Sequence, residues 1–304
     1  MRPLHMLATA ALVLAAPAAA SATDWTKVAD ALGKSGTEMP GGVYRVGLPR
    51  TDLKVTLDGV ELKPALALGS WLAFAEHGSG QVMVMGDLVL TDDEVNPVMK
   101  RLVEGGLEIT ALHNHLLRNT PHTMYMHVGG HGDAAKVATT LREALALSGT
   151  PLGTATASVS QQPPAASTAE PQALAIDTAM IDRVLGARGK VNGGVYQVSL
   201  KRAETIKDSG MDVPEAMGSA QAINFQPTGG GRAAITGDFV LTAAEVNPVL
   251  RTLRENGIEV TAVHNHMLDD QPRLFFMHFW ANDDADKLAK DLRAALDRVN
   301  LARN

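Results

Sequence analysis

The chain contains no cysteine. Disulfides, thiolate metal sites, thiol catalysis and lipid attachment through an N-terminal cysteine are therefore excluded, and stability has to come from packing. Phe, Trp and Tyr together make up only 4% of the 304 residues, which disfavours a carbohydrate platform built from exposed rings. Beyond the N-terminus, no apolar run approaches the ~20 residues needed to cross a bilayer, so no transmembrane segment is expected once a leader is removed. Concentrated positive charge is missing as well: the formal net charge is -6, and basic residues gather only in short pairs such as Lys201-Arg202. Nucleic acid is thereby disfavoured as a partner, because phosphate binding needs a basic face.

What is present describes an ordinary folded protein, with 45% hydrophobic and 20% charged residues. Its length exceeds what one core usually organises, so two domains are expected. Residues 1–22 read as a secretory signal peptide: Arg2 is the positive n-region, Leu4 to Ala16 the apolar stretch, and Ala20-Ser21-Ala22 the cleavage signal before Thr23. The expected location is periplasmic or secreted.

The remainder repeats itself. Met85 to Leu117 (MGDLVLTDDEVNPVMKRLVEGGLEITALHNHLL) aligns with Thr236 to Leu268 (TGDFVLTAAEVNPVLRTLRENGIEVTAVHNHML) at an offset of 151 residues, and GGVYRV at Gly41 faces GGVYQV at Gly193. Two copies are too few for a solenoid, so paired domains are expected: residues 23–147 and 174–304, joined by a Pro/Ser/Thr/Ala-rich flexible linker over 148–173. A linker of this composition reaches roughly 25 to 30 Å, enough for the modules to face each other as an intramolecular pseudo-dimer.

Each copy shows the same order of elements. A short helix opens at Asp24 or Asp177 and stops at Gly33 or Gly186. A strand follows at Val43 to Leu48 or Val195 to Leu200. Asp58-Gly59 marks a hairpin in the first copy, whose counterpart near Asp208 to Val213 looks less regular. Strands at Ser70 to Glu76 and Gln81 to Leu90, a helix to Glu104, a hairpin from Glu108 to Gly129 and a closing helix with Val137, Leu141 and Leu145 at four-residue spacing complete the module. The fold class is α+β, two tandem modules, each an antiparallel sheet with helices packed on one side.

Six histidines form two matching sets: His113, His115 and His127, then His264, His266 and His278. Residues i and i+2 of a strand share a face. A hairpin centred near residue 120 would place His113 opposite His127 and His115 opposite Tyr125; centred on Gln271, it would pair His264 with His278 and His266 with Phe276. Three imidazoles then gather on one sheet face in each module, a donor set that suits a divalent transition metal, zinc first, with copper, nickel and iron as alternatives. The competing reading is a histidine-bearing face in a core or domain interface that holds no metal. The tripeptide HNH is not read as the nuclease motif, since the basic face for DNA is missing.

Four carboxylates are weaker candidates for a fourth ligand or general base. Glu94 and Glu245 sit at the fourth position of Thr-x-x-Glu, which equally fits a capping box; an Asn-Pro start to the helix, at Asn96 or Asn247, is the alternative. Asp87 and Asp238 each follow a strand glycine, which marks either a bulge that aims the carboxylate or a simple kink. His122 and His131 have no histidine counterpart, being replaced by Arg273 and Asn282. Met124, Met126, Phe275 and Met277 fall on the face away from the histidines.

The pattern GD.VLT..EVNPV, then TA.HNH.L and MH, resembles the LppY/LpqO family of exported bacterial proteins over nearly the whole mature chain. The resemblance implies an envelope or periplasmic location and, because that family is largely of unknown function, no catalytic residues. Its mycobacterial namesakes look like lipoproteins, and this chain departs from them in having no cysteine to lipidate. The sequence thus points to an exported metal-binding protein, with a metal-dependent hydrolase or a metal-free envelope module binding a small molecule or envelope partner as alternatives.

Overall fold

The computed structural model describes residues 23–78, 80–153 and 174–303. The expected signal peptide and most of the expected linker lie outside the described residues. Residues 148–153, at the linker's start, run against the first module: the Gly149 N–H donates to Glu94 and Thr150 is buried. Among the described residues no helix is long and apolar enough to cross a membrane.

The first module runs α1 (Trp25–Leu32), β1 (Thr37–Met39), β2 (Val43–Pro49), β3 (Thr56–Leu57), β4 (Val60–Glu61), α2 (Pro64–Ala67), β5 (Gly69–Glu76), β6 (Gln81–Leu90), α3 (Asp92–Glu104), β7 (Glu108–His113), β8 (Met124–Asp133) and α4 (Ala134–Leu145). The second repeats it as α5 (Thr178–Leu185), β9 (Lys190–Asn192), β10 (Val195–Leu200), β11 (Lys207–Asp208), β12 (Met211–Asp212), a 3-10 turn at Glu215–Met217, β13 (Gln221–Gly229), β14 (Arg232–Thr242), α6 (Ala243–Glu255), β15 (Glu259–His264), β16 (Asp270–Gln271), β17 (Leu274–Asp284) and α7 (Ala285–Leu296). Each module is an antiparallel six-stranded sheet, in the orders β1-β2-β5-β6-β8-β7 and β9-β10-β13-β14-β17-β15.

Local chemistry accounts for the boundaries. Asp24 and Asp177 cap α1 and α5, and Gly33 and Gly186 end them in the left-handed conformation. Thr91 and Thr242 begin α3 and α6 as capping boxes with Glu94 and Glu245. The Asn-Pro start is therefore corrected: Pro97 and Pro248 lie inside the helices.

The three main helices of each module cover one sheet face. Val137, Leu141 and Leu145 of α4 join Val98 and Leu102 of α3 over Val84, Leu88, Met126 and Val128; Leu288, Leu292 and Leu296 of α7 play the same part in the second module. The expected helix-side placement of Met126 and Met277 is observed.

The opposite faces of the two sheets pack against each other, and each module sends an arm across. Residues 55–68, with the β3–β4 hairpin turning at Asp58-Gly59, bring Leu57, Leu62 and Leu66 into a cluster with Val195, Ala234 and Trp280 of the second module. In return, Ile206, Val213 and Met217 pack on Val43, Ala73 and Met83 of the first. The segment near Asp208 is regular after all: β11 and β12 form a hairpin turning at Ser209-Gly210, both residues with positive φ. Polar bonds fasten the exchange, with Gln226 accepting from the Lys63 N–H and donating to the Glu61 carbonyl, and Gln197 donating to Ala65. The modules form one interlocked body.

Candidate metal centre

The two histidine-bearing hairpins meet at the middle of this interface. In each hairpin the pairing is shifted by two residues from the sequence expectation: His113 stands opposite Tyr125 and Ala111 opposite His127, as His264 stands opposite Phe276 and Ala262 opposite His278. The connection is centred on residue 119 or 270, where buried polar side chains organise it. Asn119 donates to Pro121 and Thr123, and Asp270 accepts from the Leu274 N–H. A shift of two preserves side-chain parity, so all three imidazoles still share a face. The bulges between Ile109 and Ala111 and between Val260 and Ala262 lie before the histidines and leave that parity intact.

Rather than two separate sites, the structure builds one layered cluster. The ring of His113 stacks on His264 at 3.4 Å between centroids, His115 on His278 at 3.6 Å, and His127 on His266 at 3.7 Å. Each of these three pairs takes one ring from each module. Outside them, Tyr125 stacks on His115 and Phe276 on His266, each at 3.4 Å. His113, His115 and His127 form one group whose donor atoms lie within 4.8 Å of one another; His113, His264, His266 and His278 form another, and such groups can hold a metal ion.

Asp87 and Asp238 join the histidines. Asp87 lies beside His127 across the β6–β8 pair, with a carboxylate oxygen 3.7 Å from His115 Nε2 and the other 4.0 Å from His127 Nε2. Asp238 mirrors it, 3.5 Å from His266 Nε2. The preceding glycines mark neither bulge nor kink, because pairing runs through them without a shift. They permit close strand approach: a Cβ on Gly237 would stand 1.9 Å from the Ala222 carbonyl oxygen.

Eleven buried side-chain nitrogen or oxygen atoms lack a protein partner among the described residues, and eight of them belong to this cluster: the six Nε2 atoms and one oxygen each of Asp87 and Asp238. A buried polar atom left unsatisfied costs about 1–3 kcal/mol, so eight would cost on the order of 10 kcal/mol, comparable to a whole domain's stability. The imidazoles are also oriented as ligands. Nδ1 of His113, His264 and His278 bonds the carbonyls of Asn114, Asn265 and Gly237, and His127 also meets the Gly86 backbone. When Nδ1 donates to a carbonyl, Nε2 keeps its lone pair for a metal. Burial lowers the pKa of His113 to about 4 and of His264 to about 3, and holds the other four well below the usual histidine value. The rings are therefore neutral donors. Burial also raises Asp87 to about 8, against the opposing pull of the Arg45 guanidinium, and holds Asp238 well above the carboxylate range; a cation between them would favour both carboxylates in their charged form. The donor set thus fits a divalent transition metal.

Glu94 and Glu245 stand elsewhere. Besides capping, Glu94 accepts from Arg50, whose guanidinium is almost fully buried and also bonds Asp52 and the Val89 carbonyl. Arg202, Glu204 and Glu245 repeat this circuit. His122 pairs with Asp92 on the surface, whereas His131 lines a cavity that His127 and His266 also line.

The sequence reading passed over Asn114 and Asn265, the middle residues of the two HNH tripeptides. Asn114 donates to the Thr261 carbonyl and Asn265 to the Thr110 carbonyl, so each reaches into the other module, while Thr261 donates to the His115 carbonyl. This reciprocal clamp holds the histidine layers in register. Its signal was present in the repetition of Asn between the two histidines, but its purpose depends on docking.

The chain belongs to the family described as Domain of Unknown Function (DUF1259), which matches residues 26–147 and 179–298, one match per module. No curated protein matches it. Among solved structures it is similar to PduB, a trimeric bacterial microcompartment shell protein, at 12% identity and a TM-score of 0.22, covering 90% of this chain and 97% of that one. It is also similar to EtuB from Clostridium kluyveri, at 9% identity and a TM-score of 0.20, covering 86% and 91% respectively. Likeness at this level carries no argument about assembly or activity.

Proposed function

We propose that this two-module member of the family is an exported protein that binds a transition metal, zinc foremost, between His113, His115, His127 and Asp87 of one module and His264, His266, His278 and Asp238 of the other. The observation that carries the reading is the gathering of eight unpartnered buried polar atoms in one cluster, six of them imidazole Nε2. A metal-free interface is the competing account, and the cluster does lie between the modules. Such an interface would leave the cost of those eight atoms without compensation. The donors are nitrogen and oxygen, which suits zinc, copper, nickel or iron more than magnesium or calcium.

Metal analysis of protein purified without a histidine tag tests this. Wild type is expected to retain metal that the variant with all six histidines replaced by Ala lacks; equal, negligible metal in both favours the metal-free module. Export rests on the Arg2, Leu4 to Ala16 and Ala20-Ser21-Ala22 pattern, and predicts a mature N-terminus at Thr23 by mass spectrometry. A resemblance to the LppY/LpqO proteins in the GD.VLT..EVNPV and HNH segments implies the same location.

One observation favours a second reading, a metal-dependent hydrolase: a cavity of about 190 Å³ reaches His127 and His266. The metal would supply Lewis-acid activation and lower the pKa of a bound water there, and the apolar wall of Met83, Met85 and Met217 would hold the non-reacting part of a substrate. A panel of ester, amide and phosphoester substrates showing no metal-dependent turnover would sink it.

A further inference from the structure

We propose that the centre takes up its cation from one side only, through a mouth carrying Glu108, Asp208 and Asp269, and that Trp280 closes the equivalent route on the other side. This rests on the metal-binding reading and deepens it.

The two sides are related by the repeat. Gly129 and Trp280 occupy equivalent positions, each two residues beyond a cluster histidine, His127 or His278, on the same strand face. On the first side, glycine leaves the cavity of about 190 Å³, room for several waters at about 30 Å³ each. His127 lines that cavity; it is 3% exposed and its Nε2 makes no hydrogen bond among the described residues. On the second side, Trp280 fills the corresponding space, 3% exposed, with its indole N–H donating to Asp58 at 3.0 Å.

Charge divides the two sides in the same sense. Glu108, His131 and Asp269 are exposed at the cavity rim and Asp208 is half-buried in its wall, and none of these three carboxylates has a salt bridge among the described residues. Asp208 accepts from the Asp269 N–H, which keeps the two acids together. The counterpart of Asp269 is Arg118, which pairs with both Asp58 and Glu259 and so neutralises the closed side. His131 faces Asn282 in the repeat, so the extra imidazole also belongs to the open side alone. A recess with uncompensated acids over low-dielectric walls focuses an attractive field on a hydrated divalent cation and repels anions. Behind the rim lies His127, whose buried Nε2 lone pair faces the cluster.

The test follows uptake of Co(II) by metal-free full-chain protein, read by its d–d absorption in stopped flow at several salt concentrations. Wild-type uptake is expected to slow as salt rises. The variant Glu108→Gln/Asp208→Asn/Asp269→Asn is expected to load about tenfold more slowly at low salt and to lose the salt dependence. Gly129→Trp, which installs the second module's residue in the first, is expected to slow uptake further. Should that bulky variant fail to fold, the charge variant, which preserves side-chain volume, still decides. Wild-type rates in the charge variant overturn the one-sided route and leave metal binding standing; no Co(II) bound to wild type at equilibrium overturns both.

Discussion

The first and second modules present their histidines alike and wall them in differently. In the layer of rings, His113, His115 and His127 are matched one for one by His264, His278 and His266. Outside that layer, Gly129 is matched by Trp280, His131 by Asn282, and Asp269 by Arg118. The difference is instructive because it falls on one side of the cluster. A duplicated module that had simply decayed would scatter its changes, including into the ligands. Here all six histidines and both aspartates are kept, and these three differences surround them.

The sharpest way to break the comparison is to remove one module's histidines. His264→Ala/His266→Ala/His278→Ala leaves His113, His115 and His127 in place, yet the shared layers predict that the remaining site weakens by at least about a hundredfold, since even an outer partner of a metal ligand commonly costs 10- to 100-fold. Competition with a chromophoric chelator measures this. Half of the metal retained at wild-type affinity would show two independent sites.

An effect on stability, with no direct loss of a metal donor, is expected at the buried arginines, which the modules share. Arg50→Met strands Glu94 and Asp52, and Arg202→Met strands Glu245 and Glu204. Breaking a buried pair from one end costs about 3–5 kcal/mol, so denaturant midpoints should fall by similar amounts in both. A large loss in one variant only would mean that the two circuits do not do the same structural work.

The smallest expected change sharpens the comparison at the clamp. Asn114→Ala and Asn265→Ala each remove a side chain that reaches across the interface, costing about 1–3 kcal/mol where a buried carbonyl loses its donor. Because each clamp aligns the opposite module's hairpin, both variants should also weaken metal binding; destabilisation without any change in affinity would separate the clamp from the site.

Much of this was legible beforehand because it depends on local patterns. Helix caps at Asp24, Asp177, Thr91 and Thr242, the turn at Asp58-Gly59 and the strand limits follow from short-range chemistry. The histidines survived an incorrect register because an error of two residues keeps strand parity. The roles of Glu94 and Glu245 were less legible: their spacing announced a cap, but the arginine that occupies each carboxylate is more than forty positions away.

The sequence by itself determined two modules, their order of strands and helices, and three histidines on one face of each sheet, since period, spacing and identity between copies are properties of neighbouring residues. Only the tertiary structure decided that those faces meet, that six imidazoles and two aspartates gather in one cluster, that the diverged middle segments are exchanged arms, and that a cavity borders Gly129 while its counterpart Trp280 is buried against Asp58. These outcomes rest on contacts between residues more than a hundred positions apart, such as Asn114 with Thr261 and Asp58 with Trp280. Such contacts are set by how two finished surfaces fit, and they leave no period in the chain to read.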